Sequence, residues 1–345
     1  MKDTGYHFRG TTLGTALLVA CVCLGGCART AEEQSARDEA GKTLTIGVMP
    51  KLVGIDFFNA VEKGALAAGD ELGVNVVYDG PVVNDVTKQS ALVESWIARK
   101  FDAIAIAPND PDAIAPVLRK ARKRGIAVVT FDADSDRGAR DCFVNQCTYD
   151  SVAEALVEIM VEGIGPEGKY IFLTGSLTAV NQNLWMDRME KYRAEKYPNM
   201  KNLSETPKVS EEDQALATQV TIDILKSYRD LDGIYAMTSV ALPGAAEALR
   251  KEKAQDRVFL TGLSTPNSMR QYVEGDVVKK FVLWNPVDLG YLTVHAAKAV
   301  VEGRISETTS SLTAGRLGEI QVADREVLLG QPAVFEAGNI GEFDF

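Results

Sequence analysis

The sequence predicts an α/β fold built as two doubly wound lobes, and three observations predict it. Short runs rich in branched apolar residues alternate with stretches of helical period. That rhythm restarts at residue 142. The layout of residues 92–110 is echoed at 221–240: a helical pattern, an aspartate (Asp102, Asp232), a short apolar run, then polar residues. Strands alternating with helices build a parallel sheet covered on both faces. A chain of 345 residues suits two domains, and its 46% hydrophobic and 25% charged content is ordinary for globular proteins.

Taken in order, residues 44–49 read as the first strand, β-branched at Thr45, Ile46 and Val48. Pro50 and Gly54 break it. Asp56 is the expected N-cap of a helix whose Val61, Ala65, Ala68 and Leu72 recur at a 3.6 period, and Gly73 closes it. A strand over 74–78, a helix over 86–100 and a strand over 103–107 follow. Pro111 opens the next helix and Gly125 ends it, before a strand over 126–131. The second series has strands over 142–146, 170–174, 233–237 and 257–262, with helices over 151–162, 181–197, 213–228 and 244–251. From Pro266 the chain reads helix, strand (277–284) and helix (286–302). Two short strand patterns then flank Ala323-Asp324-Arg325.

The first 26 residues read as a signal peptide: Lys2 and Arg9 precede an apolar run over 13–24, shorter than the about 20 residues a spanning helix needs. Leu24-Gly25-Gly26-Cys27 resembles a bacterial lipobox, which makes Cys27 a lipidated first residue and residues 27–42 a flexible tether. The expected location is the cell envelope, extracytoplasmic and lipid-anchored to a membrane. Cys142 and Cys147 remain in the mature chain. An extended run between them spans about 16 Å, too far for a disulfide, so both are expected as thiols.

A net charge of -11 without a basic block argues against nucleic acid as a partner. The dinucleotide, phosphate-loop and serine-hydrolase glycine motifs are absent, and His295 lies mid-helix. No cofactor, no metal and no catalytic group is expected; the chain reads as a binder rather than an enzyme.

The residues after each strand carry the functional signal, because ligands of open α/β sheets sit at the carboxyl ends of the strands. These are Lys51, Phe57 and Phe58; Asn109 and Asp110; Asp132 and Asp134; 176–182; Thr238 and Ser239; Ser264; and Asn285 and Asp288 after Trp284. Amides and acids beside rings suit a small, neutral, hydroxyl-rich ligand, whose C–H face packs on an aromatic. Residues 43–59 would serve equally as a buried phenylalanine pair beside a solvated lysine.

These residues resemble the type I periplasmic binding proteins, the ribose-binding class of ABC-transporter receptors, over nearly all of the mature chain. PKLVG with FF, YDGP, STPNSMRQYVEG and the terminal NIG resemble the autoinducer-2 receptors. NDPDA, TAVNQNLW and WNPVDLGY resemble the rhamnose receptors. The resemblance implies two lobes joined by a three-strand hinge. The first lobe would hold 43–144 with 264–322, and the second 145–263 with 323–345. Crossings would fall near Asn145, near Leu263 and within 322–329.

By the same resemblance Lys51 and Asp132 match ligand contacts of the autoinducer-2 receptors. An Asp-Gln pair there falls on Asn181-Gln182, and a proline and an alanine fall on Met237 and Ser239. Phe57, Phe58, Asp110 and Trp284 match contacts in the ribose receptors. The loss of the carboxylate at Asn181 favours a rhamnose-like deoxyhexose over autoinducer-2. The implied role is a monomeric, lipid-anchored solute-binding protein that delivers sugar to ABC permease subunits. The alternative is an autoinducer-2 receptor for uptake or sensing.

Overall fold

The computed structural model describes residues Thr43–Phe345. The signal segment over 1–26, Cys27 and the tether over 27–42 lie outside the described residues.

The first half runs β1 (Thr45–Met49), α1 (Asp56–Leu72), β2 (Asn75–Tyr78), α2 (Val86–Ala98), β3 (Ala103–Ile106), α3 (Pro111–Lys123), β4 (Ala127–Phe131) and β5 (Cys142–Cys147). The second continues with α4 (Tyr149–Ile164), β6 (Lys169–Thr174), α5 (Val180–Lys196), β7 (Lys201–Asn202), β8 (Lys208–Val209), α6 (Gln214–Ser227), β9 (Gly233–Ala236), α7 (Ala241–Glu252) and β10 (Phe259–Gly262). The remainder is α8 (Pro266–Glu274), β11 (Lys280–Leu283), α9 (Pro286–Val301), β12 (Ser311–Thr313), β13 (Glu319–Ala323), β14 (Glu326–Gly330) and β15 (Ala333–Glu336).

The strands form two main sheets. The first has the order β12-β13-β14-β5-β4-β3-β1-β2, parallel except where β13 pairs with β12 and with β14. The second has the order β10-β9-β6-β7, with β8 also paired to β6, all parallel. The central strands of both sheets, such as β3, β4 and β9, are buried along their whole length, as parallel strands covered on both faces must be. One face of the first sheet carries its own cluster, in which Trp96 stacks on Phe101 at 5.3 Å. Gly47 of β1 makes room for that indole: a Cβ there would lie 2.5 Å from the ring.

The expected division into lobes is corrected in its second half. Residues 264–322 do not all lie with the first sheet. α8 packs on α7, and β11 bridges to Leu263 through Val282 and pairs antiparallel with β15. The chain returns to the first sheet only with α9, which packs along α1 and against β3, β4 and β5. β14 pairs parallel with β5 from Glu326↔Phe143 to Gly330↔Cys147, so the start of the segment 323–345 belongs to the first sheet. The three crossings therefore fall after β5, between β11 and α9, and between β14 and β15. The cause is pairing between strands far apart in sequence, which local periodicity does not encode. Asp56 is the first helical residue rather than the cap: Ile55 holds that position, and the Asp56 carboxylate accepts from Ser268 Oγ at 2.6 Å.

Cys142 and Cys147 are free and buried at opposite ends of β5, as the extended run required. Burial pushes the Cys142 thiol up to about 12 and raises that of Cys147 as well. A raised pKa keeps both groups protonated through pH 9, and the thiolate is the reactive form. Neither is expected to react with a disulfide reagent in the native protein, and both should react once denaturant unfolds it. Absorbance of the released thiol reports this; prompt native reaction would mean the strand opens.

Candidate functional site

Polar side chains from the carboxyl ends of both sheets meet in one place. β1 leads to Lys51, and β4 leads to Asp132 at φ 60°, a left-handed conformation that aspartate tolerates better than most residues. In the other lobe, the loop after β6 opens α5, whose first turn carries Asn181 and Gln182. Lys51 Nζ donates to Asn181 Oδ1 at 2.9 Å and lies 3.2 Å from Asp132 Oδ2. Asn181 Nδ2 donates to the same Asp132 oxygen at 3.3 Å. All three residues are at most 5% exposed, so the triangle ties the lobes together away from bulk water.

Lys51 is held from behind by amides. Asn109 Nδ2 donates to the Lys51 carbonyl at 2.9 Å. Gln89, fully buried, donates to the carbonyls of Pro50 and Ala107 and accepts from the Asn109 amide at 2.9 Å. Across the gap, Thr178 Oγ1 donates to the Asn109 carbonyl at 3.2 Å.

A cavity opens beside the triangle. The first turn of α1 contributes Phe57 and Phe58, with ring centroids 5.0 Å apart and nearly perpendicular. Phe57 meets Trp284 edge to face at 6.0 Å, and Trp185 lies 5.5 Å from Trp284. Both indole nitrogens are buried without a hydrogen-bond partner in the protein. Such a wall of rings with a few fixed polar groups is what a small-molecule site needs.

Of the ten contact residues expected from the sequence, Lys51, Phe57, Phe58, Asp132, Asn181, Gln182, Met237, Ser239 and Trp284 line this cavity. Asp110 does not. Its carboxylate caps α3, accepting from the amides of Asp112 and Ala113 at 3.0 and 2.9 Å. Asn285 likewise caps α9, and Asp134 pairs with Arg140 at 2.7 Å. Leu52, Ile55, Leu263 and Leu283 add apolar wall.

Glu212 is a polar lining residue that sequence reasoning missed. It lines the cavity from the loop between β8 and α6 and accepts from Gln182 Nε2 at 2.8 Å and Thr238 Oγ1 at 2.6 Å. Glu211 and Glu212 take φ of 52° and 55°, a conformation costing about 1–2 kcal/mol per non-glycine residue. The run Glu211-Glu212-Asp213 reads in sequence only as acidic residues at a helix start. Among the described residues, no group of histidine, cysteine and acidic side chains is placed to hold a metal ion.

Two α/β lobes with a polar cavity between their strand ends define a ligand-binding receptor. The family model described as periplasmic binding protein domain matches residues 46–305. LsrB from Clostridium saccharobutylicum, solved in complex with AI-2, is 27% identical. The match covers 88% of this chain and 100% of that one, with a TM-score of 0.84. An ABC transporter solute-binding protein from Clostridium phytofermentas, solved with bound L-rhamnose, is 29% identical over 87% of this chain and 98% of that one, with a TM-score of 0.82. The D-apiose import binding protein of Paraburkholderia graminis is 28% identical over 66% of this chain and 71% of its own.

The chain belongs to the periplasmic binding protein family, as a type I sugar-binding member that serves ABC transport in the cell envelope and is not an enzyme.

Proposed function

We propose that the interlobe cavity captures a neutral monosaccharide, with a rhamnose-like deoxyhexose preferred, and delivers it to the permease subunits of an ABC importer. The observation that carries this reading is Asn181. Its amide satisfies Lys51 with its oxygen and Asp132 with its nitrogen. A carboxylate at this position, as in the autoinducer-2 receptors, would bring a second acid against Asp132. Without it, a ligand that needs a charged acceptor there loses about 1.5–3 kcal/mol, or roughly one to two decades of affinity. The rings of Phe57, Phe58 and Trp284 suit the apolar side of a deoxyhexose, and the L-rhamnose-bound relative supports that choice. Ligand contacts to both lobes would favour the closed arrangement by their differential affinity for it. Through the Leu24–Cys27 motif, Cys27 would carry the lipid that keeps the receptor at a membrane.

Autoinducer-2 is the second reading, because Lys51 and Asp132 match that class and the AI-2-bound relative is similar over the whole lobe pair. A thermal-shift screen against monosaccharides and autoinducer-2 separates the two. At a hundred times Kd a ligand adds about 2.7 kcal/mol, enough to raise the melting temperature by roughly 3–5 °C in a protein of this size. The expected result is a rise with L-rhamnose that exceeds the rise with autoinducer-2. A response to autoinducer-2 alone would replace the sugar reading.

A further inference from the structure

Two acids line the cavity, and their surroundings differ. Asp132 has the Lys51 ammonium at 3.2 Å. Glu212 has only neutral donors, one to each oxygen: Gln182 Nε2 to Oε1 and Thr238 Oγ1 to Oε2. Among the described residues, no lysine or arginine nitrogen lies within 4.0 Å of the Glu212 carboxylate. Lys51 and Asp132 cancel, so the wall is left with one uncompensated negative charge, and Glu212 is its source.

The carboxylate is also fixed in place. Gln182 Oε1 accepts from Thr174 Oγ1 at 2.5 Å and from the Gly175 amide at 2.8 Å, which directs Nε2 to Glu212. Gly175 leaves room for the acid: a Cβ there would lie 2.0 Å from Glu212 Oε1. A carboxylate offers about four lone-pair positions and no donor. Two are taken, and the rest accept hydrogen bonds from whatever fills the cavity.

We propose that Glu212 is the specificity-determining residue that restricts this site to uncharged polyols. It accepts O–H donors from ligand hydroxyls and repels sugars that carry a carboxylate or phosphate. The inference rests on the reading of the cavity as the ligand site and names the ligand class it admits. It holds for a deoxyhexose or for autoinducer-2, and so stands apart from the choice between them.

Calorimetric titration of the wild type, Glu212→Gln and Glu212→Asp tests it, with L-rhamnose, autoinducer-2, D-galacturonate and a hexose 6-phosphate as probes. The wild type should bind a neutral probe at least about a hundredfold more tightly than either anion. Glu212→Gln, which keeps the shape and removes the charge, should weaken the neutral ligand about tenfold, because a hydrogen bond to a neutral acceptor is weaker. It should also narrow the neutral-to-anion ratio by about tenfold or more. Glu212→Asp keeps the charge and should keep the discrimination, which separates the electrostatic role from one in packing.

An unchanged ratio in Glu212→Gln overturns the proposal, as does a wild type that takes galacturonate as readily as a neutral sugar. Binding of autoinducer-2 and no monosaccharide would remove the sugar reading alone, with Glu212 then judged on autoinducer-2 against the anions. A wild type that takes no neutral probe overturns both.

Discussion

Replacing Asp132 with alanine is expected to cost the protein at least about a hundredfold in ligand affinity, measured by calorimetry. Asp132 is 4% exposed, forms an ion pair with Lys51 and accepts from Asn181. Removing it leaves the Lys51 charge buried with the Asn181 oxygen alone. Breaking such a pair from one side costs about 3–5 kcal/mol, part of it in the fold and part in the site. Alanine is also a poorer occupant of φ 60° than aspartate. The backbone keeps an anchor there, since Gln146 Nε2 donates to the Asp132 carbonyl at 3.1 Å. The melting temperature of the unliganded variant separates the two contributions. Asp132→Asn, which keeps the shape, should fall between alanine and wild type. Unaltered affinity in the alanine variant would remove Asp132 from the site.

The second large effect is expected at two glycines that do not line the cavity. Gly290 of α9 and Gly64 of α1 let two helices touch backbone to backbone. A Cβ on Gly290 would lie 2.0 Å from the Val61 carbonyl oxygen, and one on Gly64 would lie 1.8 Å from that of Val287. Neither obstacle is a side chain that can rotate away. Gly290→Ala should therefore force the helices apart and lower stability by about 3 kcal/mol, read from the denaturant midpoint. In an exposed helix the same change would stabilise by about 1 kcal/mol, so the sign is diagnostic. A gain would mean the helices are not locked. Binding should weaken with stability, because α1 carries Phe57 and Phe58 into the cavity.

The alternation of strand and helix was legible because parallel strands buried on both faces read as unbroken apolar runs, as in Ala103–Ile106 and Ala127–Phe131. β15 was not read as a strand, and its partner β11 was drawn too long and placed in the wrong lobe. Their pairing with each other decides where they lie, and the sequence records neither partner. β12, Ser311–Thr313, is too short and polar to carry a pattern of its own. Along the cavity wall, the lining residues just after long strands could be placed from topology. Asp110 caps α3 instead of lining the cavity: one aspartate before a proline reads equally as ligand contact and helix cap in sequence, and here its carboxylate is taken by the amides of Asp112 and Ala113. Glu212 follows β8, a strand of two residues, and so gave no strand end to read.

The way the lobes share the chain bears on its birth at the ribosome. The first sheet begins with β1 but is completed by β12, β13 and β14, and α1 gains its partner helix only at α9. A nascent chain that has emerged through residue 285 has made every strand of the second sheet, yet its oldest part is still unsealed. Contacts this distant in sequence form slowly and leave apolar surface open meanwhile. The part synthesised first is thus the last to close, and a growing chain would present that surface to any chaperone that meets it.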